Sequence, residues 1–208
     1  MARRTSLQNS AQAGLFDPPE RVLVDDACGR ISYSLALLTP TVAQECFAAI
    51  HATTPWNAER RQMYERMVDV PRLTCGYALM GDLPAAIATI AEKVRQATLV
   101  DFTHVGLNLY RDGHDSVAPH NDHLDELAPD QPIALVSLGA SREMVIRAKA
   151  PPHRALRLEL EAGSLLMMSH ATQLHYDHGI PKQDIAVGPR ISLAFRVRPA
   201  ALASNFYR

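Results

Sequence analysis

The sequence predicts an all-β core with flanking helices. Short runs in which apolar and polar residues alternate recur from Phe102 onward, the period of half-buried strands. Two stretches with helical spacing are gathered ahead of those runs, so the helices flank the sheet. A length of 208 residues with 47% hydrophobic content suits one globular domain with a substantial core.

The elements follow in order. Residues 1 to about 20 are polar and mixed, a composition expected of a flexible N-terminal tail, which leaves 21–208 as the folded domain. Arg21-Val-Leu-Val and Ile31-Ser-Tyr-Ser read as short strands around Asp25 to Gly29. Thr39-Pro40 and Thr41-x-x-Gln44 offer overlapping helix starts, and Val42, Cys46, Phe47 and Ile50 continue at helical spacing, so this helix should pack on a sheet. Asp82-Leu-Pro84 opens a second helix whose Ile87, Ile90, Ala91 and Val94 form one apolar stripe. Val105, Leu107 and Leu109 then share one strand face, while Asn108 and Tyr110 share the other and could enter one cavity. Ile133 to Leu138, Met144 to Arg147, Leu156 to Leu160 and Ser164 to Met168 are further strands. In the last, Ile191, Leu193, Phe195 and Val197 alternate with Arg190, Ser192, Ala194 and Arg196, which puts both arginines on one face, roughly 20 Å apart.

Composition narrows the classes. No apolar run approaches the length of a membrane span, and polar residues follow Arg3 and Arg4 where a signal peptide needs its apolar centre, so a cytoplasmic location is expected. Cys28, Cys46 and Cys75 are odd in number and widely spaced, which reads as reduced thiols. The net charge of −1 is unlike that of a dedicated duplex binder. Two local basic clusters, Arg60/Arg61/Arg66/Arg72 and Arg142/Arg147/Lys149/Arg154/Arg157, read equally well as nucleic-acid contacts or solvated surface.

The chemistry concentrates between Asn108 and Arg196. In an extended segment His120 and Asp122 point the same way and can chelate one ion, with Asn121 turned opposite. Two histidines and a carboxylate on one face of a metal form the ligand set of non-heme Fe(II) oxygenases. No cysteine lies near, so a closed structural zinc site is disfavoured. His170, His175 and His178 compete for the third position. If Gln173 to Ile180 is extended, His175 faces away from His178, and only one of them reaches the ion. Arginine's planar fork suits bidentate grip of a carboxylate, which Arg190 and Arg196 could supply.

The order Asn108-x-Tyr110, His120-x-Asp122, a distant histidine and Arg190-x5-Arg196 resembles the AlkB family of Fe(II)- and 2-oxoglutarate-dependent dioxygenases. Asn108-Leu-Tyr-Arg-Asp-Gly113, Pro132-Ile-Ala-Leu-Val-Ser-Leu-Gly139, Gly163-Ser-Leu-Leu-Met-Met168 and Pro189-Arg-Ile-Ser-Leu-Ala-Phe-Arg196 strengthen the likeness, which is greatest to the branch acting on DNA and covers about residues 70 to 198. The resemblance implies a double-stranded β-helix (jelly-roll) core. It implies His178 as third ligand, with Fe(II), 2-oxoglutarate and O2 as cofactor and co-substrates. His175 is then expected to be packed or hydrogen-bonded behind the ligands. Arg190 would pair with the distal carboxylate of 2-oxoglutarate, helped by Tyr110 and Ser192, and Arg196 and Asn108 would stand nearer its keto-acid end. The implied reaction is oxidative demethylation of an N-alkylated base in DNA or RNA, such as 1-methyladenine or 3-methylcytosine, through a hydroxylated carbon that leaves as aldehyde.

The resemblance places substrate contacts after a Pro-Arg word and just after His-x-Asp, and a flipped base needs flat side chains around it. Tyr77, Tyr64, His123 and Leu124 are accordingly the candidate substrate residues, although the tyrosines read equally as core or surface. Pro71-Arg-Leu-Thr-Cys-Gly-Tyr77 runs almost directly into Asp82-Leu-Pro84, a short lid, and His123-Leu124 stands where the DNA-acting branch is more acidic. Ser192 and Ala194 replace an amide and a hydroxyl of the usual family strand. Two alternatives stay open: the same iron chemistry on a protein side chain or small molecule, and a low-turnover binding or sensing protein. No obligate protein partner is expected.

Overall fold

The computed structural model describes residues 20–63 and 66–199, with 61–63 and 66–69 described by backbone alone. The tail expected over 1 to 20 lies outside the described residues except for Glu20. Two antiparallel sheets face each other. The larger has eight strands: β1 (Arg21–Asp26), β2 (Gly29–Ser34), β3 (Asn57–Met63), β4 (Arg66–Ala78), β5 (His104–Tyr110), β7 (Ile133–Gly139), β10 (Leu165–Met168) and β12 (Arg190–Arg196). Their order across the sheet is β1-β2-β10-β7-β12-β5-β4-β3. The smaller sheet runs β6 (Val117–His120), β11 (Tyr176–Ile180), β8 (Arg142–Ala148), β9 (Ala155–Leu160).

Side-chain alternation splits the core into two layers. Val105, Leu107, Leu109, Val136, Leu138, Ile191, Leu193 and Phe195 turn to one face of the large sheet and meet α1 (Pro40–Thr53) and α2 (Ala85–Thr98). Tyr110, Ile133, Leu135, Leu166, Met168 and Ala194 turn to the other face and meet Met144, Ile146, Leu158 and Ile180 of the small sheet. The period of two therefore builds both layers at once, and polar residues on the inward face line a cavity.

Both expected helices form. Thr39 caps α1 by accepting from the Val42 amide at 3.4 Å, and Ala43, Cys46 and Ile50 are its buried stripe. The cap of α2 is Pro84, without a side-chain bond, so Asp82 does not serve as the helix start. Ile87, Ile90 and Val94 bury as expected. Gly139 ends β7 at φ +82°, where a Cβ would stand 2.5 Å from the Pro189 carbonyl; glycine is required because that carbonyl closes against the turn just ahead of Arg190.

Three segments differ from expectation. Asn57–Met63 and Arg66–Ala78 form an edge hairpin that no alternation announced, because the sequence of β3 is mostly polar. Thr172–His175 is a single helical turn, α3, so the extended segment begins only at Tyr176. Arg142 is fully buried rather than part of a surface patch: its Nη atoms donate to the carbonyls of Asp112 (2.8 Å), Asp115 (2.9 Å) and Pro181 (2.8 Å), tying two loops together.

Candidate metal centre and carboxylate clamp

His120 closes β6 and pairs directly across the ladder with His178 of β11, so the β register itself brings together residues far apart in the chain. Their ring centroids lie 4.6 Å apart. Asp122 stands two residues beyond His120, and the ligand atoms of His120, Asp122 and His178 all lie within 4.8 Å of one another. This cluster is a site that could hold one metal ion. His120 Nδ1 is 2.9 Å from the Ala118 carbonyl. A carbonyl only accepts, so that nitrogen carries the proton and Nε2 is left for a metal.

The protonation states suit ligation, which needs neutral imidazole and ionised carboxylate. Burial, with His120 next to it, pushes His178 down to about 4 against the opposing pull of Asp122. Burial alone would raise Asp122, but the Arg196 guanidinium, His178 and His120 together hold the carboxyl below its ordinary range. Arg196 donates to Asp122 Oδ2 from Nε at 3.0 Å and from Nη2 at 2.8 Å. It thus orients the Asp122 carboxylate, a contact not foreseen from the strand pattern.

Arg190 and Tyr110 pair across β12 and β5, as do Ser192 and Asn108, and Ser137 of β7 continues the second row. All of these except Ser137 line a cavity of about 660 Å³ that also contains the three ligands. Arg190 is fully buried, with its guanidinium 5.3 Å from the Tyr110 ring centre. Nη2 donates to Ser137 Oγ at 2.8 Å, whereas Nε and Nη1 have no hydrogen-bond partner among the described residues. A buried guanidinium with two unmatched donors beside an open cavity fits a carboxylate that it can grip. Asn108 Oδ1 accepts from Arg72 Nε at 2.8 Å, which fixes Arg72 to the wall. Next to this row, Gly76, Gly106 and Ala194 pair across three adjacent strands, and the Arg196 guanidinium lies over Gly106, its Nη1 3.5 Å from where a Cβ would stand.

The candidate substrate residues divide. His123 lines the cavity. Tyr77 does not: it packs with the helix-side core, as Leu73 does on the same strand. Leu124 packs with the inter-sheet core rather than the cavity. Both assignments are corrected here, and Tyr64 lies outside the described residues. Glu59 and Asn57 of β3, with Arg72 and Thr74 of β4, supply the wall instead; Thr74 Oγ1 donates to Glu59 Oε1 at 2.8 Å. His175 is exposed at the end of α3, and the residue that reaches the ligand loop is Gln173, whose Oε1 accepts from the Asp122 amide at 2.9 Å. A polar edge strand and a single glutamine carry no periodic or motif signal, which is why neither was foreseen.

Two facing antiparallel sheets with a two-histidine, one-aspartate cluster and a buried arginine define a jelly-roll protein with the site of a non-heme iron oxygenase. The comparisons agree, and the chain belongs to the 2OG-Fe(II) oxygenase superfamily, whose match spans residues 77–196. This family uses Fe(II), 2-oxoglutarate and O2. The chain is 42% identical over 114 residues to DNA oxidative demethylase ALKBH2 of Homo sapiens, covering 51% of this chain and 44% of that protein. It is 30% identical over 165 residues to alpha-ketoglutarate-dependent dioxygenase alkB homolog 3 of Mus musculus, covering 68% of this chain and 57% of that one. It thus spans about half the length of these curated relatives. A solved structure described as "The structure of OsALKBH1" matches the fold with a TM-score of 0.57 at 15% identity, over 80% of this chain and 97% of its own. No helix among the described residues is long and apolar enough to cross a membrane.

Proposed function

We propose that this protein is an AlkB-type dioxygenase that dealkylates N-alkylated bases, of the 1-methyladenine and 3-methylcytosine type, in DNA or RNA. The observation that carries the reading is the convergence of His120, Asp122 and His178 beside a buried Arg190 with two donors lacking a hydrogen-bond partner among the described residues. With iron bound, the reaction would convert 2-oxoglutarate to succinate and carbon dioxide, one atom of dioxygen entering succinate and the other leaving with the methyl carbon as formaldehyde.

The chain's own residues do the placing. His120, Asp122 and His178 hold the metal, and Arg196 keeps the carboxylate ionised and aimed. Arg190, braced by Ser137 and stacked near Tyr110, binds the distal carboxylate with Ser192 beside it. Glu59 gives the wall a carboxylate, which complements a methylated base that is cationic and carries an exocyclic amine. The relatives named as DNA oxidative demethylases support the same substrate class. Repair of alkylation damage is the role this implies. Free thiols at Cys28, Cys46 and Cys75 suit the reducing cytoplasm, which we propose as its location.

One observation favours a second reading, the same chemistry on a protein side chain or small molecule: neither Trp nor Phe lines the cavity among the described residues. The test is direct. Purified protein with Fe(II), 2-oxoglutarate and a 3-methylcytosine oligonucleotide is expected to release formaldehyde and succinate in equal amounts, and Asp122→Ala to release neither. Succinate formation that no methylated oligonucleotide stimulates would exclude nucleic acid as the substrate.

A further inference from the structure

The β ladder fixes His120 and His178 but not Asp122, which lies beyond the end of β6. What holds the aspartate's stretch of chain is a polar network outside the metal's own contacts. Lys149, just after β8, donates from Nζ to Asn121 Oδ1 at 2.9 Å and to the Gln173 carbonyl at 2.9 Å, and stands 3.6 Å from Asp177 Oδ1. Asn121 separates the first two ligands, and Asp177 immediately precedes the third. One ammonium therefore ties together both ligand-bearing segments. Gln173, 1% exposed, accepts from the Asp122 amide at 2.9 Å and donates from Nε2 to Thr172 Oγ1 at 3.2 Å. Asn121 Nδ2 closes the circuit by donating to the Asp122 carbonyl at 3.0 Å.

We propose that Lys149 and Gln173 are positioning residues that set the aspartate against the two histidines before the ion arrives. The inference rests on the reading of His120, Asp122 and His178 as a metal site. Charge alone argues the other way: an ammonium near a cation site repels the cation, so its removal would tighten metal binding. Position argues that its removal loosens the loop and weakens binding. The two effects have opposite signs, which makes the measurement decisive.

The experiment is titration of the full-length, metal-free protein with Co(II), followed by the visible absorption of the bound ion. Lys149→Met and Gln173→Leu are each expected to raise the Co(II) Kd by roughly 10- to 100-fold, the range seen when groups that orient metal ligands are removed. Their cobalt bands are expected to shift, because the carboxylate no longer holds one geometry, and Lys149→Arg is expected to recover most of the affinity. A purely structural role would lower the melting temperature yet leave the Kd and spectrum of the folded fraction at wild-type values; that result, or tighter binding in Lys149→Met, overturns the proposal. Should Lys149→Met fail to fold, Lys149→Gln and Gln173→Leu carry the same comparison. Wild-type protein that binds no Co(II) removes the metal reading itself, whereas wild-type binding with unchanged variants removes only the positioning role.

Discussion

Arg190 is fully buried in the cavity wall, and the donors it leaves unmatched among the described residues are what a dicarboxylate would satisfy. Charge-assisted hydrogen bonds are worth about 1.5–3 kcal/mol, so Arg190→Met is expected to raise the KM for 2-oxoglutarate by roughly 10- to 100-fold while leaving Co(II) binding intact. An unchanged KM in steady-state assays would show that the co-substrate lies elsewhere. His178 yields a prediction in pH. Its ordinary value is 6.5 and burial holds it near 4, so between those values the unfolded chain takes up a proton that the folded chain refuses. The metal-free protein is therefore expected to lose stability as pH falls from 6.5 toward 4, with no contribution from this group above 6.5. Thermal melts across that window check it, and His178→Asn should flatten the slope. The closeness of His120 and Asp122 was legible from their two-residue spacing, whereas the choice of His178 and the role of Arg190 came from the resemblance to the AlkB family. Lys149 and Gln173 were not legible: Lys149 reaches its partners from 28 and 24 residues away, and nothing local marks a lysine as a brace.

Among the elements, β5 and β12 were readable because each carries apolar residues at every second position and sits in the middle of the sheet with both faces covered. The edge hairpin was not, since Asn57–Met63 has no apolar rhythm to read, and Asn57, Ala58 and Arg60 are exposed. The turn Thr172–His175 is too short for helical spacing to register. Tyr77 illustrates how a one-position step in a strand changes a role: its neighbour Gly76 lines the cavity while its own ring joins the helix-side core. The two long helices, α1 and α2, serve the site by backing the large sheet. Ile90 of α2 is wholly buried against it. Ile90→Ala is expected to cost about 2–5 kcal/mol by chemical denaturation. Co-substrate KM should stay unchanged in the protein that remains folded, which separates this layer from the one holding the metal.

At the scale of the whole molecule, the site draws on strands from both sheets, and most of their pairings join distant parts of the chain. β12 lies between β7 and β5, so the last described strand is also a central one. It contributes Ile191, Leu193 and Phe195 to the helix-side core and Arg190, Ser192, Ala194 and Arg196 to the cavity. A chain cut at Gly188 is expected to lack cooperative unfolding altogether, with circular dichroism and the Co(II) titration failing together rather than one before the other. During synthesis the same placement acts as a safeguard. A nascent chain whose histidines have already left the ribosome still lacks the strand that closes the sheet and anchors the aspartate. On the proposed reading, the geometry that holds the ion comes only with that strand's pairing, so a prematurely terminated product is expected to bind it weakly.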